Sequence, residues 1–109
     1  ARIHLQEAGW EVGEVEPASL FDVLEALHAH QPSLVITDYE MPFCNGETLV
    51  RAIREDLALK HIPVIVLSAH RESEIVERLS RWDLAAYVFK PIRPEDLVAK
   101  VRQFLEAKA

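Results

Sequence analysis

At 109 residues, half of them apolar and 28% charged, the chain has the balance of an ordinary globular protein. A domain of this size buries roughly 65% of the surface its unfolded chain exposes, enough for a core without disulfide staples. The single cysteine, Cys44, rules out an internal disulfide; no apolar run approaches the ~18 residues of a spanning helix; and a formal charge of −6 removes the basic field that draws proteins to nucleic acid. With no charged-then-apolar leader at its start, the cytosol is the expected setting and no membrane partner is expected.

In chain order, Ala1 to Ala8 reads as the last turns of a helix, closed by Gly9 in the position after a helix end. Trp10 to Glu16 alternates apolar and polar residues like an edge strand weakened by Gly13. Pro17-Ala18-Ser19 then introduces a helix whose Leu20, Val23, Leu24 and Leu27 form one stripe before Gln31-Pro32 stops it. Leu34-Val35-Ile36 is an uninterrupted apolar run ending at Thr37-Asp38, the pattern of a short parallel strand buried on both faces. After a loop through Asn45-Gly46, a helix carries Leu49, Val50, Ile53 and Leu57 on one side. Pro63-Val64-Ile65-Val66-Leu67-Ser68 repeats the buried-strand pattern. A helix from Glu72 to Trp82 turns Ile75, Val76 and Leu79 inward, and Ala85-Ala86-Tyr87-Val88-Phe89 is a third buried strand stopped by Lys90-Pro91. Pro94-Glu95-Asp96 opens the last helix, with Leu97, Val98, Val101, Phe104 and Leu105 as its inner face.

Strands and helices alternate throughout, so the expected class is α/β with a parallel sheet covered by crossover helices. In such a sheet the strand ends share one edge, and ligands bind in the crevice outside it. Three strands end in Asp38, Ser68 and Lys90. An ammonium beside Asp38 would hold a carboxylate, or a phosphoryl group attached to it, by charge-assisted contact, and the Ser68 hydroxyl could donate to the same oxygens. Taken singly, each has a plainer reading: Asp38 as a turn residue, Ser68 as a turn hydroxyl, Lys90 as a solvated cation. Their convergence favours function.

On Asp38, Met41-Pro42, Asn45-Gly46, Ser68-Ala69, Tyr87 and Lys90-Pro91, in that order and spacing, the chain resembles the receiver domain of two-component response regulators. The likeness runs over essentially all of residues 1–109. It implies a flavodoxin-like doubly wound parallel sheet of strand order 2-1-3-4-5. It also implies that Asp38 is the phosphoacceptor, taking its phosphoryl group from a sensor histidine kinase or a phosphotransfer protein. By the same resemblance Lys90 pairs with the phosphoryl oxygens, Ser68 moves to bond one of them, and Tyr87 rotates inward as it does so. Ala69 borders the path of the phosphodonor, and Glu40 and His70 occupy positions that tune the lifetime of the phosphoryl group. Mg²⁺ is the implied cofactor, held by Asp38 and the backbone carbonyl of Glu40. Output is expected through an effector domain or a homodimer that uses the face of the family's fourth helix, fifth strand and fifth helix. Beyond phosphotransfer to itself and its own dephosphorylation, no enzyme activity is expected.

The family's first strand ends in an acidic pair that completes the magnesium site, and nothing in this sequence matches it. That strand and the start of the first helix are expected to lie ahead of Ala1, leaving 1–109 an N-terminally incomplete receiver. Asp83 stands where relatives carry Gly and is expected to adopt the left-handed region; Trp82 beside it is expected to pack inward. The five histidines show no metal-ligand spacing. Two other functions compete with the phosphorylated receiver. One is a receiver-like interaction module that binds partners without phosphate; the weaker one is a small hydrolase with Asp38 as nucleophile, for which no general base is evident.

Overall fold

The computed structural model describes residues 19–41 and 44–108. The expected helix end at Ala1–Ala8, the edge strand at Trp10–Glu16 and Pro42 lie outside them. The chain divides into two compact units, one of Glu16–Lys90 and one of Ala1–Val15 with Pro91–Ala109. In the first, the elements run α1 (Leu20–His30), β1 (Val35–Asp38), α2 (Gly46–Arg54), β2 (Val64–Ser68), α3 (Ser73–Ser80) and β3 (Ala86–Phe89); the second contributes α4 (Pro94–Lys108).

The strands form a parallel sheet of order β1-β2-β3, with Asp38 level with Leu67 and Ser68 level with Phe89. A helix connects each strand to the next, as parallel pairing demands, and this run corresponds to three consecutive strands at one end of the expected order. The apolar sequence of β2 has its reason here: it is flanked on both sides and buried from Val64 through Ser68. Alternation sends Val64 and Val66 to one face and Ile65 and Leu67 to the other. Val64 and Val66 join a core with Val23 and Leu27 of α1, Leu49, Val50 and Ile53 of α2, and Leu79 of α3.

Local chemistry fixes the helix ends. The Ser19 hydroxyl accepts the Asp22 N–H at 3.2 Å to start α1. Gln31 closes it in the left-handed region at φ 44°, its N–H on the Leu27 carbonyl. Asn45 caps α2 through its side-chain oxygen on Thr48 N. Asp83 sits at φ 56°, as its place in a glycine position led us to expect, and Trp82 packs against the core.

Three expectations need correction. Leu57 does not continue the inner face of α2: the helix ends at Arg54, and Leu57 is 83% exposed in the turn that follows. The apolar residues that do fill the space beneath that turn are Leu59 and Ile62, both buried. β1 is buried at Thr37 but only half-buried at Val35 and Ile36, because among the described strands it has a neighbour on one side only. β3 is likewise less buried than a central strand; Val88 alone is fully inside. In α4, Leu97 and Val101 are buried, and Val98, Phe104 and Leu105 are half-buried.

One contact was not visible in the sequence. The Arg54 guanidinium, at the C-terminal end of α2, donates to the carbonyls of Trp82 (2.8 Å), Asp83 (3.1 Å), Lys60 (3.1 Å) and Ile62 (2.7 Å). It therefore binds the loop ahead of β2 to the loop ahead of β3. Replacing Arg54 with Ala leaves these acceptors to find other donors, and since hydrogen bonds to charged groups contribute ~1.5–3 kcal/mol, urea unfolding of the variant is expected to show a loss of about 2–3 kcal/mol.

Candidate functional site

At the C-terminal edge of the sheet the register brings the expected residues together. The Tyr39 N–H donates to the Leu67 carbonyl (2.9 Å) and the Lys90 N–H to the Ser68 carbonyl (2.8 Å), so sheet bonding continues one residue past β1 and β3. The two strands consequently release Asp38 and Lys90 on the same edge. Lys90 Nζ lies 2.5 Å from Asp38 Oδ1, with side-chain exposures of 43% and 53%. A pair this open contributes only ~0–1 kcal/mol to stability. Its importance is positional: the acid and its cation are held together where solvent and a partner can reach them.

The loop after Asp38 is held closely. Thr37 is buried, and its hydroxyl donates to the Asp38 carbonyl at 3.1 Å. The Gly46 N–H donates to the Tyr39 carbonyl at 2.5 Å. A Cβ on Gly46 would lie 2.9 Å from Tyr39 Cα and 3.3 Å from the Asp38 carbonyl oxygen. Glycine is thus required here by close approach of the backbone that carries the acid.

Ser68 is 3% exposed, and its hydroxyl oxygen accepts the His70 N–H at 2.9 Å; its bond in this structure is to that backbone and not to Asp38. Ala69 is exposed. Tyr87 is turned in against the core, its hydroxyl donating to the His70 carbonyl at 2.9 Å. Glu40 and His70 meet directly, Nε2 of the imidazole on Oε1 of the carboxylate. Nδ1 of the same ring lies 3.3 Å from Glu72 Oε2. The hydrogen bond to Glu40, helped by the charges of Glu72 and Glu40 against a smaller desolvation, raises the His70 pKa above its usual 6.5. Burial raises that of the Cys44 thiol, which gives no support to a nucleophilic role.

Two participants were not picked out from the sequence. Glu72 is the second partner of His70, and its only signal was an acid two residues away. Tyr39, next to Asp38, is buried and meets the His70 ring edge-on at 5.2 Å; strand alternation could have turned it inward, but nothing distinguished it from an ordinary core residue. For a divalent cation, the donors present are of the right chemistry: hard oxygens from the Asp38 carboxylate and the Glu40 carbonyl. Magnesium often takes only one or two carboxylates and keeps water and phosphate oxygens for the rest of its octahedron. Among the described residues no group of three His, Cys, Asp or Glu could hold a metal.

A parallel sheet that presents an acid and a lysine at its C-terminal edge marks an α/β protein with its ligand crevice there, and comparison with known proteins specifies the family. A family model described as the response regulator receiver domain matches residues 1–102; the chain belongs to that family. The sensor histidine kinase TmoS of Ectopseudomonas mendocina is 35% identical over 85 residues, which are 78% of this chain and 9% of that protein. The chain thus spans under a tenth of that relative's length. The polar-differentiation response regulator DivK of Brucella ovis is 26% identical over 101 residues, 93% of this chain and 80% of that protein. Among solved structures, the signal receiver domain of a signal transduction histidine kinase from Syntrophus aciditrophicus superposes with a TM-score of 0.83 at 25% identity, covering 97% of this chain and 79% of that one. The fold is accordingly the flavodoxin-like one.

Two outcomes follow from this geometry. Gly46→Ala must displace backbone, because its two tightest contacts are main-chain atoms; by the usual scale of overpacking it is expected to destabilise by about 1–3 kcal/mol, measured by urea unfolding. Since the folded pKa of His70 is raised, the stability its contacts supply is present below pH 6.5 and is lost as pH rises through the raised value. In metal-free buffer, Glu40→Gln is expected to lower the His70 midpoint in an NMR titration of the ring; an unchanged midpoint would show that Glu40 is not the cause.

Proposed function

We propose that this receiver takes a phosphoryl group on Asp38 from a phosphohistidine of a sensor histidine kinase or a phosphotransfer protein, and thereby switches a partner-binding face. The single observation that carries the reading is the Asp38–Lys90 pair, 2.5 Å apart and open to solvent at the edge of the sheet, in a chain of the receiver family.

A carboxylate oxygen of Asp38 attacks phosphorus, the N–P bond to the donor imidazole breaks, and its electron pair stays on the donor nitrogen. Such transfers need positioning and charge compensation more than covalent help. Lys90 is placed to follow the phosphoryl oxygens while keeping contact with the acid. Hydrolysis returns the system: water attacks phosphorus, the O–P bond breaks, and the Asp38 carboxylate is restored as inorganic phosphate leaves. The chain acts here on itself and turns over no separate substrate. Mg²⁺ bound to the Asp38 carboxylate and the Glu40 carbonyl would neutralise part of the phosphoryl charge. In this reading Ser68 gives up its His70 contact to meet a phosphoryl oxygen, and Tyr87 responds.

Relatives named as histidine kinases and as response regulators support a kinase as the source of the phosphoryl group. An effector domain or a second copy of the chain is the proposed receiver of the signal, through a face that includes α3 and β3. No described helix is long and apolar enough to cross a membrane, and we propose a cytoplasmic setting. The test is incubation of the complete protein with Mg²⁺ and phosphoramidate followed by intact mass. One phosphoryl group is expected on the parent chain and none on Asp38→Asn; a gain that survives that substitution, or no gain on the parent, overturns the proposal. Partner binding indifferent to Asp38→Asn would point to the phosphate-independent interaction module instead.

A further inference from the structure

The loop after β2 is joined to the end of β3 by more than the site residues. The Arg71 guanidinium lies over the Phe89 ring, 4.4 Å from its centroid, well inside the ~6 Å range of a cation–π contact. The same group reaches the Lys90 carbonyl through Nη2 at 3.4 Å, a long bond. Phe89 in turn meets Tyr87 edge-on, with centroids 5.4 Å apart and planes at 66°, a favoured arrangement of two rings. The Tyr87 hydroxyl closes the circuit on the carbonyl of His70, the residue before Arg71. No carboxylate pairs with Arg71 among the described residues, so its charge is directed to the ring and the carbonyl.

We propose that Arg71 is a positioning residue for the switch. It clasps the loop after β2 to the end of β3 and holds Tyr87 turned inward before any phosphoryl group arrives. This rests on the receiver reading above and adds to it a residue outside the reacting set. The contact runs through Phe89: with the guanidinium over its ring, Phe89 is held by the loop and keeps its edge-to-face contact with Tyr87. Without that cation the ring is free to leave, and an outward Tyr87 then loses its core packing and its bond to His70 but no longer a ring contact as well. The clasp therefore biases the inward form and primes Asp38 for a small phosphodonor.

Tyr87 can be observed directly, because the chain has only two tyrosines, Tyr39 and Tyr87. The protein labelled with 3-fluorotyrosine is followed by fluorine NMR, with the Tyr87 resonance assigned from Tyr87→Phe. In Arg71→Gln and in Phe89→Leu the ratio of inward to outward Tyr87 is expected to fall roughly two- to fivefold, the scale of an exposed cation–π contact. Phe89→Trp, which keeps a ring face for the cation, is expected to restore it. Phosphoramidate labelling of Asp38 should slow by a similar factor in the first two variants and recover in the third. A Tyr87 resonance that is the same in Arg71→Gln and Phe89→Leu as in the parent overturns the clasp. Absence of labelling in the parent as well overturns the phosphoacceptor reading, and the fluorine spectra still decide the clasp.

Discussion

An ammonium held beside a carboxylate at the open edge of a sheet is the contact on which the rest of the molecule turns. Neither Asp38 nor Lys90 adds much to stability where it stands, because both are about half exposed. What holds them in place is the pairing of three strands in parallel register. Leu67 answers Tyr39 and Ser68 answers Lys90 through backbone bonds, and that continuation of the sheet past its formal ends delivers two distant stretches of sequence to one crevice. β2, buried throughout, is the fixed rail between them. The acid and the ammonium sit at the end of β1 and just past β3, two strands more exposed than β2.

Around that crevice the structure separates what must be rigid from what is adjustable. The backbone under Asp38 is rigid: the buried Thr37 hydroxyl and Gly46 press on it from two sides. The loop after β2 is held by contacts that can be exchanged. Ser68 accepts a backbone N–H, Tyr87 donates to a carbonyl, His70 bridges two carboxylates, and Arg71 lies on a ring. Each contact is modest alone, and several share a partner, so changes in one are expected to couple to the others rather than add. Such a loop suits a two-state element biased by a local change of charge.

The sheet and its helices were legible because their periodicities are unambiguous. The unbroken Val64–Leu67 run belongs to a doubly flanked strand, and Leu20, Val23, Leu24 and Leu27 follow one helix face. The convergence of Asp38 and Lys90 followed from topology alone, since parallel strands share an edge. What stayed hidden is contact chemistry between segments far apart in sequence. No pattern announces that Arg54 will bond four carbonyls from two loops, or that Arg71 will stack on Phe89. Leu57 misled for a related reason. Its helical spacing was right, but α2 ends at Arg54, and the chain turns away before Leu57 can face inward.

The Arg54 contact bears on how this fold can vary. A single planar cation measures the separation of two connections, one entering β2 and the other entering β3, at the end of the sheet away from Asp38. Adding or deleting a residue in either connection would move its acceptors out of reach of a donor set with fixed geometry. Both segments are therefore constrained in length, and the turn around Leu57, which lies within the one that enters β2, shares that constraint.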